Sequence, residues 1–415
     1  MIGLIDGNNF FASCERIFDP SLEGKALAVL SNNDGCVISR SNECKALGIP
    51  MGAAYFEVKD CPGLVFRSGN YALYGDISRR IIAVLCEFSP DVEQYSIDEA
   101  FIHVGRSSDP DYFELGQRIR QTILRWVGIP CGVGFAFSKT LAKIANHIGK
   151  KQASGVFVMP ENPEAVLSKV PVSDVWGVGR RLAPKLERLG IRTAAQLANS
   201  DEAVLRKKFN VILAKTILEL RGESVLEEED PEELSQSISC SRSFGRPVIE
   251  LAELSEAVSH YIARAAEKLR GEGQRAAGIN VYFQYYPEYE PRKREGGFTG
   301  TTVSFEIPTS ATSEMIRAVL PRLKGIFLSG RRYKKAGVVF FGLEPLRVHQ
   351  PDLFADSARN ERAERASAVM DAINRRFGKG TVFNLAEGIQ RPWTMRRGHL
   401  SPNYTTNWEQ LPEVK

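Results

Sequence analysis

The sequence predicts an α+β chain of several domains. Three observations carry that prediction. At 415 residues the chain exceeds what one hydrophobic core usually serves. Strand-like and helix-like periodicities interleave through its first half. A new β-α-β-β-α-β order begins after an acidic run, Glu227 to Glu233.

Each element follows from the local pattern. IGLI is a short apolar strand ending in Asp6. YALYGDISRRIIAVLCEF, Tyr71 to Phe88, places Ile77, Ile81, Leu85 and Phe88 at helical spacing. EQYSIDEAFIHV alternates like two strands around a tight Asp-Glu turn. Tyr112 to Trp126 reads as a helix and Cys131 to Phe137 as a strand. Ser138 caps a helix that runs to Lys150. A mixed sheet with helices on one face fits this order. Residues 169–222 read as helices joined by short turns. Beyond the acidic run, SCSRSFG, INVYFQYY, TTVSFEI and AGVVFFGL read as strands, with helices over Leu254–Leu269 and Ser313–Leu328. From about Arg347 the chain reads as a polar, irregular tail with one helix, Glu361 to Phe377.

Composition narrows the chemistry. No apolar run approaches the roughly 18 residues that span a bilayer, and the N-terminus does not read as a signal peptide. A cytoplasmic protein without a membrane partner is expected. The seven cysteines are odd in number and lack C-x-x-C spacing, which argues against a zinc site or a disulfide framework. Five histidines without H-x-x-x-H spacing leave carboxylates as the metal ligands, and carboxylates favour hard ions such as Mg²⁺. Net charge is only +4, but its distribution is uneven. Ala136 to Arg192 holds ten Lys/Arg against four Asp/Glu, and Cys240 to Pro345 holds sixteen against eleven. Two basic modules joined by an acidic tether suit a polyanion; ordinary surface charge accounts for the counts equally well.

Asp6 ends an apolar strand, and Asp98-Glu99 sits in an apolar hairpin. Carboxylates placed there are costly unless solvated or holding a cation. Three of them at adjacent strand ends can hold two divalent ions roughly 3.5–4 Å apart. Plain turn chemistry is the alternative for the same residues. In VWGVGRR, Gly177 and Gly179 let backbone N–H groups approach a phosphate, and Arg180 and Arg181 add charge; a tight turn explains the glycines as well.

IGLIDGNNFFASCE, SNNDGCVISRSNECKALGIPMG, YSIDEAF and GFAFSKTLAKIANHIGKK resemble the signature blocks of the Y-family DNA polymerases. NNDGCVISRSNE, VWGVGRR, CSRSFG and LSPNYTT are similar to the UmuC-like branch of that family. The resemblance spans Ile2 to about Thr406. It implies a right-hand polymerase with a mixed-sheet palm (1–10 and 71–168), small fingers (11–70), and a thumb with a helix-hairpin-helix turn (169–226). An acidic linker (227–239), a β-α-β-β-α-β little finger (240–345) and a C-terminal tail (346–415) complete it. The implied activity is error-prone translesion DNA synthesis in the SOS response, without a proofreading nuclease.

The same resemblance implies roles. Asp6, Asp98, Glu99 and the carbonyl of Gly7 hold two Mg²⁺ ions. Phe11, five residues after Asp6, is the steric gate that rejects a 2′-hydroxyl. Lys45 and Lys150 contact the triphosphate, while Asn42 stands where several relatives carry a phosphate-contacting Tyr. Ser241, Arg242, Ser243, Arg331, Arg332, Lys334 and Lys335 face primer-template DNA. Gln350, Asp352, Leu353 and Phe354, in QPDLF, resemble a peptide that docks on the sliding clamp, with Pro351 departing from the commoner Leu. A cleaved UmuD-like homodimer and a RecA filament are the other implied partners. Two rival classes fit part of the pattern: a palm-fold nucleotidyl cyclase or two-metal nuclease, and a DNA-binding scaffold with a vestigial site.

Overall fold

Every residue from Ile2 to Ile5 is apolar, so a strand built from them needs cover on both faces. The computed structural model describes residues 1–105, 111–226, 234–287, 297–346 and 357–412. In it, β1 (Ile2–Gly7) is the middle strand of a five-stranded sheet ordered β5-β6-β1-β7-β8. Its neighbours are β6 (Glu99–His103) and β7 (Cys131–Ala136), both antiparallel to it. Outside them, β5 (Val92–Gln94) is antiparallel to β6, whereas β8 (Val156–Val158) is parallel to β7, so the sheet is mixed as expected.

Helices on one face only is an expectation the structure corrects. Ile5, Ile102 and Val133 pack in one core with α4 (Tyr71–Cys86) and α5 (Tyr112–Val127). Ile2, Leu4 and Phe101 pack in another with α6 (Lys139–Gly149). The alternation of β1 side chains sends Leu4 and Ile5 to opposite faces, and both faces are dry.

The hairpin also differs from its reading. Its connection spans 95–98, and Glu99 is already the first residue of β6. Ser96 sets this geometry: its hydroxyl oxygen accepts from the Asp98 and Glu99 N–H groups at 3.2 and 3.0 Å and the hydroxyl donates to Asp98 Oδ1 at 2.7 Å. A side chain that mimics backbone hydrogen bonding thus replaces the tight two-residue turn.

Helix α1 (Phe10–Phe18) leaves β1 through Asn8 and Asn9, and Asn9 is left-handed with φ 49°. A small sheet follows, ordered β3-β2-β4, from β2 (Ala26–Leu30), β3 (Val37–Arg40) and β4 (Leu64–Ser68). Short helices α2 (Asn42–Ala46) and α3 (Tyr55–Val58) accompany it. After β8 come five short helices: α7 (Glu164–Leu167), α8 (Ala183–Glu187), α9 (Ala194–Ala198), α10 (Glu202–Lys208) and α11 (Val211–Leu220). Their apolar residues, Leu186, Leu197 and Ile217 among them, extend the core that α6 begins.

These elements and the segment from Gly398 onward form one compact unit; the described residues from 234 to Arg397 form a second. The second unit is a four-stranded antiparallel sheet ordered β11-β10-β12-β9. Its strands are β9 (Ile238–Val248), β10 (Gln274–Tyr285), β11 (Phe298–Thr309) and β12 (Tyr333–Pro345). Helices α12 (Leu251–Gly271) and α13 (Thr312–Ile326) bury Leu254, Ile262, Met315 and Val319 against Ile279, Val281 and Val338. The stretch read as an irregular tail is divided. Helix α14 (Ser357–Phe377) and the 3 %-exposed Trp393 belong to the second unit, and Gly398 onward belongs to the first. Residues Gln350, Asp352, Leu353 and Phe354 lie outside the described residues, as does the acidic run 227–233.

Candidate active site

Strand pairing alone brings two of the carboxylates together. Asp6 on β1 is the register partner of Glu99 on β6. The Gly7 N–H donates to the Asp98 carbonyl at 2.9 Å, which ties the third carboxylate's residue to the same strand end. Residues 6 and 98–99 therefore converge through backbone hydrogen bonds, before any side-chain contact.

Helix α6 then supplies the counter-charge. Lys139, Lys143, Asn146 and Lys150 are spaced four, three and four residues apart, which puts them on one helical face. Each reaches the sheet. Lys139 pairs with Glu93 at 2.6 Å, Lys143 with both Glu99 oxygens at 3.0 Å, and Lys150 with Asp6 Oδ1 at 2.7 Å. Asn146 Nδ2 donates to the Leu4 carbonyl at 3.2 Å. Two glycines of β7 make this approach possible. A Cβ on Gly134 would lie 2.1 Å from the Asn146 backbone nitrogen, and one on Gly132, the register partner of Asp6, 2.6 Å from Lys150 Cγ.

Burial pushes the Asp6 carboxyl up to about 6, and the charges of Glu99 and Asp98 add to the rise against the lowering effect of Lys150. A group perturbed by both burial and specific charges in this way is a functional-site candidate. Among the described residues, no three acidic, histidine or cysteine side chains already surround one point as metal ligands. Asp6 and Glu99 instead hold lysines. The donor set still fits a hard divalent ion: all three side chains offer carboxylate oxygens, and two lysines, Lys143 and Lys150, face three carboxylates.

The predicted nucleotide-binding residues gather nearby. Burial, together with the charges of Arg40 and Lys150, holds the Lys45 ammonium below its ordinary range. Three cations close enough to repel one another make a place that a polyanion relieves. Ser41 caps the helix bearing Lys45 by accepting from the Cys44 N–H at 3.2 Å. Asn42 accepts from Asn9 Nδ2 at 3.0 Å and so ties that helix to the left-handed turn before Phe11. Phe11 is half-buried and stacks on Tyr74, with ring centroids 4.6 Å apart and 16° between planes; Tyr71 meets it edge-on at 5.8 Å.

Sequence reading missed Arg40, Lys143, Tyr71 and Tyr74. The four-three-four spacing on α6 was a legible signal for Lys143. Nothing local marked Arg40 or the two tyrosines, whose roles come from packing. Lys143 also lies over the rings of Tyr95 at 4.4 Å and Trp176 at 5.1 Å.

The remaining predicted residues belong to other elements. Gly177 takes φ +87°, a conformation few other residues adopt, while Gly179 does not. Arg180 and Arg181 are exposed next to them, and the carbonyl of Gly179 accepts the Leu182 and Ala183 N–H groups as α8 begins. In the second unit, strand register places Ser241, Arg242 and Ser243 opposite Gly337, Ala336 and Lys335. Arg331 lies over the Tyr285 ring at 5.3 Å, and Arg332 and Lys334 over Tyr286 at 5.6 and 6.0 Å. Aromatic rings interleaved with cations suit nucleic acid.

Comparison with known proteins places the chain in a family. The impB/mucB/samB family model matches residues 5–147, its C-terminal domain 235–353, and its helix-hairpin-helix motif 160–191. A domain of unknown function matches 364–414. Protein UmuC of Salmonella typhimurium is 42% identical over the whole of both chains, and protein MucB of Escherichia coli 38% identical over 99% of each. DNA polymerase IV of Desulfatibacillum aliphaticivorans is 29% identical over 91% of this chain and 94% of its own. Among solved structures, a chimeric Y-family DNA polymerase of the Dbh type aligns with a TM-score of 0.66 at 22% identity, covering 83% of this chain and all of that one. An insertion ternary complex of Dbh DNA polymerase aligns at 0.55 with 21% identity, again over 83% of this chain and all of that one. Similarity that runs end to end, over the carboxylate-bearing sheet and the basic sheet alike, means that this chain belongs to the impB/mucB/samB family, the UmuC-like branch of the Y-family DNA polymerases.

Proposed function

We propose that this protein extends a DNA primer across damaged template bases, adding deoxynucleotides at a site built on Asp6, Asp98 and Glu99. The observation that carries this is the convergence of three carboxylates with Lys150, Lys45 and Arg40 at one end of the central sheet. Asp6, Asp98 and Glu99, with the carbonyl of Gly7, are the residues to hold two Mg²⁺ ions, which when bound lower the pKa of the primer 3′-hydroxyl and neutralise the triphosphate.

The protein's own groups do the rest. Lys45, Arg40 and Lys150 bind the triphosphate; Lys150 exchanges its contact with Asp6 for phosphate oxygens as the nucleotide enters. Phe11, backed by the Tyr74 ring, lies under the sugar and leaves no room for a 2′-hydroxyl. Arg180, Arg181 and the Gly177–Gly179 turn hold the duplex backbone without reading sequence. Arg242, Arg331, Arg332, Lys334 and Lys335 do the same from the second unit.

The domain assignment follows from these roles. Palm, fingers, thumb and little finger account for the residues up to 345, and the fingers among them are small. Base selection then rests largely on pairing itself, which is the physical basis of error-prone copying. Docking of Gln350, Asp352, Leu353 and Phe354 on a sliding clamp, and activation by a cleaved UmuD-like dimer and a RecA filament in the SOS response, are part of the same reading.

Primer extension tests it. With Mg²⁺, dNTPs and the partner proteins present, the chain should extend a primer on an undamaged template and past a lesion. Failure on the undamaged template would sink the polymerase reading and favour a scaffold. Cleavage of the primer instead of its extension would favour a two-metal nuclease.

A further inference from the structure

The segment from Gly398 to Tyr404 is stitched into the first unit. The Gly398 N–H donates to Asp34 Oδ2 at 2.7 Å. The His399 N–H donates to Ser68 Oγ at 2.9 Å, and the His399 carbonyl accepts the Ser68 N–H at 3.0 Å. The His399 ring nitrogen Nε2 lies 3.0 Å from the Tyr55 hydroxyl, and Tyr404 stacks on Phe18 at 5.0 Å.

Between these anchors sits Ser401, only 5 % exposed. Its hydroxyl donates to Glu15 Oε1 at 3.1 Å and accepts from Asn70 Nδ2, also at 3.1 Å. Asn70 Nδ2 reaches the carbonyls of Ser401 and Pro402 at 3.3 and 3.2 Å as well, while its Oδ1 caps α4 by accepting the Leu73 N–H at 3.3 Å. Glu15 is 1 % exposed, and the same oxygen that takes Ser401 takes the Tyr74 hydroxyl at 2.6 Å. Arg67 approaches its other oxygen at 4.0 Å. A carboxylate buried this deeply stays in place only through its donors. The Tyr74 ring, held at its hydroxyl end by Glu15, is the surface on which Phe11 stacks.

We infer that Ser401 and Asn70 are positioning residues for sugar selection: through Glu15 and the cap of α4 they hold Tyr74, and Tyr74 fixes the height of Phe11. This rests on Phe11 being the sugar gate. Residues almost four hundred positions apart in sequence thus belong to one device. Loosening the far end lets the Phe11 ring sink, and a 2′-hydroxyl then fits above it.

The test measures kcat/KM for a ribonucleotide relative to its deoxynucleotide in the full chain with its partners. Ser401→Ala should raise that ratio about fivefold, the factor that corresponds to the net worth of one typical hydrogen bond. Tyr74→Phe, which keeps the ring but not the hydroxyl, should move it in the same direction. Ser401→Thr should restore the wild-type ratio. A merely structural loss would depress both sugars together and leave the ratio unchanged. Phe11→Ala serves as the reference. If it raises the ratio while Ser401→Ala and Tyr74→Phe do not, this inference is overturned alone. If none of the three moves it, the gate reading falls and this inference falls with it.

Discussion

The two units gather charge in opposite ways. In the first, carboxylates and lysines interlock: Asp6 with Lys150, Glu99 with Lys143, Glu93 with Lys139, all set by one helix face against one sheet. In the second, Arg331 lies over the Tyr285 ring, and Arg332 and Lys334 share the exposed Tyr286 ring just past the end of a strand. An interlocked cluster in a half-buried setting loses function as a whole when one member goes. A dispersed surface loses it in small, additive and salt-sensitive steps.

Breaking the cluster should have the largest effect. Asp98→Ala should lower primer extension at least about a thousandfold, because the remaining carboxylates cannot hold the metals in the reactive arrangement. A loss of only a few-fold in single-turnover assays would make the first unit behave like the second. Phe11→Ala should come next, raising ribonucleotide incorporation about tenfold to a hundredfold, since steric exclusion is removed outright; unchanged sugar selectivity would remove Phe11 from the site.

The third test uses pH. The Asp6 carboxyl is raised from 3.8 to about 6 in the folded protein. Below the lower value both states are protonated and Asp6 contributes nothing. As pH climbs through that window the unfolded carboxyl ionises first, so stability falls, and the loss is complete above about 6. In metal-free protein, Asp6→Asn should therefore raise unfolding stability at pH 7.5 by about 1–2 kcal/mol, after allowance for partial exposure. Below pH 4 the gain should vanish. Urea denaturation at the two pH values reads this directly, and equal stability of wild type and variant at pH 7.5 would mean that burial does not strain the carboxylate. Added Mg²⁺ should stabilise the wild type more than the variant, as ligand binding to the native state requires.

The second unit should give the smallest effect. Lys334→Ala should weaken primer-template binding about threefold, lower the salt slope by about one, and do so equally on unrelated sequences. A loss confined to one template sequence would contradict backbone contact.

Much of this was legible along the chain. Helical spacing over Tyr71–Phe88 and capping by Ser138 placed two helices to within two residues of their observed ends, because one buried face and one side-chain cap determine each. The cover on both faces of β1 was equally readable from four consecutive apolar residues, although the element order alone suggested helices on one face. Glu99 was read into the turn because a serine two residues before Asp98 substitutes for a turn residue only once its hydroxyl finds the backbone. Lys143 could have been found from its place with Lys139, Asn146 and Lys150 on one face.

By itself, the sequence determined the elements, the carboxylates at the strand ends, and the family. Those depend on short-range periodicity and on residue chemistry, both of which a linear string carries. Tertiary structure alone decided that Arg40 joins Lys45 and Lys150, that Tyr74 backs Phe11, and that Ser401 reaches Glu15. Those pairings join segments with no common period, and they exist only because burial of the surrounding apolar surface brings the segments to one place.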